Sequence, residues 1–411
     1  MTRVAAVTLP HQFAQVREHA DHMLAQAAGA CRFAWRALRH IVRNHRYLTF
    51  VKLANYALLL AQHRMKTERV IGMPAKMKIE ATNICNTKCQ LCPTGQGLHG
   101  RPAKVLDFAM YSQLVERHAW HLLSLDLSMW GDPLIVPDIY RMIRFAHERR
   151  IWTYLSSNLH AFRPDQTRKG ESRTQAETLV ESGLDMLTCS LHGATQATYE
   201  AYQPGKRLDD ALAKIQRIVE TRDRLKSLTP QLQLNFAVTR KNEHEIEAFN
   251  RLAARLGATP VFSPAMMNTR FLGCDQKLQP LGLAPDLVEK RTQARLDEWL
   301  PSDPQWRMPG YESMLSASGS GGTSGGASYN GHKIFACDWP WVQAVINCDG
   351  KVSVCCGSFG EQEDMGDVTA QSLGKIWNSE KYRMARRSFS RPVDDEHRSG
   401  NPCADCPGCM L

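Results

Sequence analysis

Three cysteines fall within eight residues, Cys85-Asn-Thr-Lys-Cys89-Gln-Leu-Cys92, and Pro93-Thr-Gly95 follows them. A [4Fe–4S] cluster normally takes four thiolates. The spacing C-x3-C-x2-C supplies three, so one iron is left open, the mark of a reactive metal site as opposed to a structural one. A zinc knuckle would need a fourth ligand close by, for which His99 is the only near candidate. The motif follows directly on a strand-like segment, 76–82, and that strand-then-loop context favours the cluster.

A second group lies at the other end of the chain. Seven of the 13 cysteines come after residue 336: Cys337, Cys348, Cys355, Cys356, Cys403, Cys406 and Cys409. Only Cys31, Cys189 and Cys274 stand apart. The N-terminus has no apolar core and cleavage site of a secretory signal, so a reducing cytoplasm is expected. Structural disulfides do not account for the cysteines there, whereas metal ligation does. Cys356 adjoins Cys355 and points the opposite way if both lie in a strand. A zinc Cys₄ site is the alternative for this group.

The elements that must position these residues can be read from periodicity. Strand-like segments at 76–82, 123–130, 151–156, 185–191, 231–239 and 259–263 alternate with helical patterns at 107–122, 137–149, 173–182, 208–225 and 243–256. Six strands alternating with helices predict an α/β fold with a parallel sheet, either doubly wound and open or closed toward a barrel. In a barrel the chemistry gathers at the C-terminal strand ends. Residues 313–331 are Gly/Ser-rich and read as a flexible connection. The expected organisation is a basic helical extension (1–72), an α/β core (73–265), a connecting segment (266–331) and a small Cys-rich domain (332–411).

The cysteine loop and the strand ends together resemble the radical SAM superfamily. That resemblance implies a partial (β/α)6 TIM-like barrel. It also implies a cluster on Cys85, Cys89 and Cys92 whose open iron is chelated by S-adenosylmethionine (SAM). Met129-Trp-Gly131-Asp132-Pro133 is similar to the family's Gly-Gly-Glu-Pro element at the SAM amino group. Ser156-Ser-Asn158 resembles the segment at the SAM ribose, and Ser190-Leu-His192-Gly resembles the one at the SAM carboxylate. Gly131, Asp132, Ser156, Asn158 and Ser190 are therefore expected to bind the cofactor. The position from which relatives send an arginine toward SAM is Gln203 here, with Lys206 and Arg207 as substitutes. Asp132 and His192, with Glu80 and Tyr311, are candidate acid–base groups. The C-terminal cysteines resemble SPASM/twitch domains, which carry auxiliary [4Fe–4S] clusters. The spacing looks more like the single-cluster form, with Cys337, Cys355, Cys403 and Cys406 as ligands and Cys409 as the alternative fourth.

The expectation is a radical SAM oxidoreductase or maturase. It would cleave SAM reductively to a 5′-deoxyadenosyl radical and abstract hydrogen from a small molecule, glycan or peptide, fed by a reductant such as flavodoxin or ferredoxin. Two other readings share the sequence. One is radical C–C or C–S bond formation, or epimerisation, on a lipid or sugar at a membrane surface. The other is a non-catalytic zinc-stabilised binding module. The net charge of +10 is concentrated in residues 1–72, where eleven Lys and Arg face Glu18, Asp21 and Glu68. That asymmetry speaks for a basic extension on a near-neutral body, not for nucleic-acid binding. Arg32, Arg36, Arg39, Arg43 and Arg46 form one helical stripe, so peripheral membrane contact is expected of residues 30–61. No run of 18 apolar residues occurs, so no spanning helix is expected.

Overall fold

The computed structural model describes residues 45–98, 100–168, 170, 172–308, 337–390, 401–404 and 406. The Arg32–Arg43 part of the basic stripe, His99, the Gly/Ser segment, Tyr311 and Cys409 lie outside them. The chain divides into two compact units, Met1–Thr49 and Phe50–Leu411. In the first, one 3-10 turn is described, His45–Tyr47.

The second unit is built on a nine-stranded sheet. Six strands arrive in order along the chain: β1 (Lys76–Ile79), β2 (Ser124–Asp126), β3 (Trp152–Ser157), β4 (Met186–Ser190), β5 (Gln231–Val238) and β6 (Thr259–Pro264). Each pairs in parallel with the next. Helices cross between them, among them α2 (Phe108–His118), α3 (Ile139–Glu148), α4 (Gln175–Glu181), α6 (Leu208–Arg224) and α7 (Ile246–Arg255). This is the expected six-stranded α/β arrangement. Helix α5, Gln196–Tyr202, was not among the predicted helices; it starts at Thr195, whose side chain accepts from Thr198 N.

The open edge of β1 is covered from the far end of the chain. Strand β7 (Gln343–Ile346) runs parallel to β1 with Lys76 opposite Gln343 and Ile79 opposite Ile346. β8 (Lys351–Ser353) and β9 (Gly366–Asp367) follow in antiparallel order. Pairing satisfies backbone groups that a bare edge would expose. The cysteine-rich segment thus continues the core sheet. Cys348 lies past β7, in the turn that leads to β8.

Local sequence explains the joints. Helix α4 begins with a capping box between Thr174 and Glu177. It ends at Glu181, and Gly183, with φ of +83°, makes the turn that follows. A Cβ there would come within 2.4 Å of the His147 ring. The next residue but one, Asp185, accepts from Thr153 N at 2.8 Å and joins β3 to the approach of β4. The prediction is that Gly183→Ala lowers unfolding free energy by about 1–3 kcal/mol; an unchanged denaturant midpoint would contradict it.

Candidate active site

The three-cysteine loop hangs from β1, the strand clamped on both sides by β2 and β7. Thr87 Oγ1 lies 3.2 Å from Cys85 Sγ and 3.4 Å from Cys89 Sγ. Cys92 N donates to Cys89 O, which tightens the turn. Burial pushes the Cys89 thiol up to about 12, with Cys92 and Cys85 adding to the rise. Burial also raises Cys92. Such thiols keep their protons until a cation compensates the thiolate charge, and metal binding then displaces the protons. Among the described residues no three His, Cys, Asp or Glu side chains converge closely enough to hold a single metal ion. The fit to a cluster therefore rests on the donor set: three mutually interacting soft thiols on one loop.

The neighbouring strand ends close around this loop. Gly131 passes against the backbone of the segment that leads into it: a Cβ there would lie 2.3 Å from Thr82 O and 2.5 Å from Ile84 O. Only glycine allows that approach. Asp132 N then donates to Ile84 O at 3.0 Å. Trp130 N donates to Glu80 Oε1 at 3.2 Å, and Cys348 N to Glu80 Oε2 at 3.4 Å, so buried Glu80 links β2 to the turn after β7. Burial raises the Glu80 carboxyl.

Two expected roles change in the structure. The Asp132 carboxylate is buried and accepts from Leu134 N, Ser157 Oγ and Asn158 N at 2.8–3.1 Å. It ties β2 to β3 instead of presenting a free face to an ammonium group, so it acts as a positioning residue. His192 is buried, with φ of +60°. Its Nδ1 accepts from Ala237 N at 2.9 Å, and its ring lies 4.3 Å from that of Tyr202. Burial holds its pKa down at about 4. It is a structural histidine, not a proton acceptor. The bonds from Leu134, Ser157 and Asn158 to Asp132, and from Ala237 to His192, are what residue type alone does not show.

Ser156, Asn158 and Ser190 do converge. Asn158 Nδ2 donates to Asn86 Oδ1 at 2.9 Å and lies 3.6 Å from Cys85 Sγ, which joins the end of β3 to the cysteine loop. Ser156 Oγ and Ser190 Oγ are 3.4 Å apart. Gln203 is buried and donates to Ser190 O at 2.9 Å, so it braces this cluster. Arg207 points away, with its exposed guanidinium 3.8 Å from Asp209.

A cleft of about 440 Å³ opens beside these residues, lined by Lys78, Asp126, Trp130, Tyr154, Ser156 and Cys356 among others. Lys78 Nζ bonds to Asp126 and donates to Ser128 O at 2.9 Å. Sequence reasoning passed over this pair. The available signal was charge at alternate positions, Lys76, Lys78 and then Asp126, on strands that otherwise read as buried.

The second cysteine group is also assembled. Cys337, Cys355, Cys403 and Cys406 all lie in one another's field. Burial pushes Cys337 up to about 11 and raises Cys355 and Cys403 further. Cys356 faces Lys78 and Asp126, and Cys348 faces Glu80. Arg101, just beyond the first cysteine loop, is buried and reaches Asp349 Oδ2 at 3.2 Å and Asp364 Oδ2 at 3.1 Å. That bond set joins the two halves of the site.

This is a parallel α/β scaffold with a three-cysteine loop after β1 and a cysteine-rich segment that continues the same sheet through β7. Residues 79–230 match the radical SAM superfamily, and residues 337–407 match the SPASM iron–sulfur cluster-binding domain. The chain belongs to the radical SAM superfamily and carries a SPASM domain. It is 28% identical over 192 residues to the PqqA peptide cyclase of Ruegeria pomeroyi, 46% of this chain and 47% of that one. This match thus spans about half of the relative's length. It is 22% identical over 358 residues to the mycofactocin maturase MftC of Mycolicibacterium smegmatis, 84% of this chain and 80% of that one. SuiB of Streptococcus suis, solved with S-adenosylmethionine bound, shares the fold with a TM-score of 0.53 at 15% identity, over 82% of this chain and 73% of that one.

The buried histidines set an acid limit on stability. His192 is held near pKa 4, against roughly 6.5 in an unfolded chain. Between these values the unfolded state binds more protons, so stability is full above the upper value and falls as pH drops toward the lower. Urea unfolding of the wild type should weaken from about pH 6.5 to 4, and His192→Gln should flatten that slope by up to about 1.4 kcal/mol per pH unit. Identical slopes in both proteins would contradict the assignment.

Proposed function

We propose that this chain is a peptide-modifying radical SAM enzyme. Cys85, Cys89 and Cys92 would hold the cluster that binds SAM, and Cys337, Cys355, Cys403 and Cys406 an auxiliary cluster. The observation that carries the reading is the three half-buried cysteines on the loop after β1, within the segment that matches the radical SAM superfamily. When bound, the cluster and SAM supply a 5′-deoxyadenosyl radical that takes a hydrogen atom from the substrate.

The protein's own residues bind, orient and exclude. Gly131, Ser156, Asn158 and Ser190 line or support the SAM side, with Asp132 holding Ser157 and Asn158 in place. The Lys78–Asp126 pair, with Tyr154, forms the polar floor of the cleft. Burial raises Tyr154 and keeps its phenol protonated. The SPASM side closes the cleft through Trp339 and Cys356. A peptide substrate is supported by the relatives: a PqqA peptide cyclase by its name, and SuiB by a structure bound to its precursor peptide SuiA. A flavodoxin or ferredoxin in the cytoplasm would supply the reducing electron, and an auxiliary cluster held by Cys337, Cys355, Cys403 and Cys406 would supply an acceptor for an electron from the substrate, for a net oxidation.

Anaerobic reconstitution should give a brown protein with about eight iron atoms per chain. Dithionite and SAM should then release 5′-deoxyadenosine. Cys89→Ala should abolish that release. Cys355→Ser should remove about four irons, while Cys348→Ser and Cys356→Ser keep the full content. A colourless zinc protein, or 5′-deoxyadenosine release by Cys89→Ala, overturns the reading.

A further inference from the structure

Helix α1, Phe50–Arg64, is amphipathic in the inverted sense. The residues that it turns into the body are Lys52, Asn55, Leu59 and Gln62. The polar ones are fully used there. Lys52 Nζ donates to Arg150 O at 2.6 Å. Asn55 donates to Met73 O and accepts from Met73 N. Gln62 Oε1 accepts from Ile71 N at 3.2 Å. Trp341 and Trp377 lock the same segment by donating to Thr67 O and Gly72 O.

The outward face is the opposite of what water requires. Every exposed position from Phe50 to Ala61 is apolar: Phe50, Val51, Leu53, Ala54, Ala57, Leu58, Leu60 and Ala61. Phe50 is 85% exposed, Leu53 46% and Leu60 38%. The first exposed charge is Arg64. Ile71, 82% exposed, continues the apolar surface beyond the helix. Singly exposed leucines need no explanation, but a contiguous face of this kind marks a binding surface. The helix register is fixed by the buried polar bonds, so the apolar face is held outward and cannot rotate in.

We propose that this face of α1 docks on the surface of an anionic lipid bilayer. Charge selects that occupant. Residues 1–72 carry eleven Lys and Arg against three acids, while the rest of the chain is near neutral. Apolar residues flanked by an excess of basic ones are the composition of an interfacial helix lying in the headgroup plane. No described helix is long and apolar enough to cross a membrane, so contact is peripheral. The inference is independent of the radical chemistry, and it revises the expectation for residues 30–61: in the described part the bilayer-facing surface is apolar, and the basic residues flank it.

The test is flotation of the full-length protein with vesicles of phosphatidylcholine, with and without phosphatidylglycerol. The wild type should float with the anionic vesicles and lose that binding at high salt. Leu53→Ser with Leu60→Ser should reduce partitioning by about tenfold or more. Both positions are exposed, so the thermal midpoint should not fall. The proposal is overturned if the wild type stays in the aqueous phase with both vesicles, if it floats equally with neutral ones, or if the double variant floats as well as the wild type. It is equally overturned if, without vesicles, sedimentation shows a dimer that the same substitutions dissolve, because a second copy would then cover the face.

Discussion

Thiols that resist ionisation hold the centre of this molecule. Burial raises both Cys89 and Cys92, so neither gives up its proton readily; Cys92 and Cys85 add to the cost at Cys89, and Cys85 adds to it at Cys92. A site of that kind is poorly stabilised by protein alone and strongly stabilised by iron, whose charge compensates the thiolates. The surrounding bonds make sense as the frame that keeps the thiols together. Asp132 joins the ends of β2 and β3, Asn158 carries the connection to Asn86, and Thr87 sits between Cys85 and Cys89. The loop is thus anchored from three strands before any iron arrives.

The same logic governs the far end of the chain. By pairing β7 with β1, the fold brings the second set of cysteines alongside the first without a separate scaffold. Buried Arg101 draws Asp349 and Asp364 toward the first loop, and Glu80 binds both Trp130 N and Cys348 N. Where the two parts of the sheet meet lies a cleft whose floor is an ion pair, Lys78 with Asp126, where burial would penalise either charge alone. The pair separates the polar cleft from the apolar core that includes Met77, Ile79 and Leu125.

Much of this was legible in the residues. All six core strands were found from periodicity, because long alternations of strand and helix leave a clear pattern. The C-terminal cysteines stood out by their clustering, and the resemblance to SPASM/twitch domains pointed to Cys337, Cys355, Cys403 and Cys406, with Cys409 as the alternative. The bonding of single side chains was not legible. Asp132 and His192 stand where a functional group is expected, yet their hydrogen bonds come from Ser157, Asn158 and Ala237, which sequence spacing cannot show. The pairing of β7 with β1 depends on residues about 270 apart, beyond the reach of local pattern. The orientation of helix α1 was not legible for a physical reason: Asn55 and Gln62 take the inward side because backbone groups of the 71–73 turn need partners.

The central claim is that one iron of the first cluster is free of protein ligands and takes SAM. Pulsed electron–nuclear double resonance on the reduced, anaerobic protein tests it directly, with SAM labelled by ¹⁵N at the amino group and ¹⁷O at the carboxylate. The account predicts hyperfine couplings from both labels, which vanish when Cys89→Ala removes the cluster. A reduced cluster whose spectrum is the same with labelled, unlabelled and no SAM would show an iron site closed by the protein, and would contradict it.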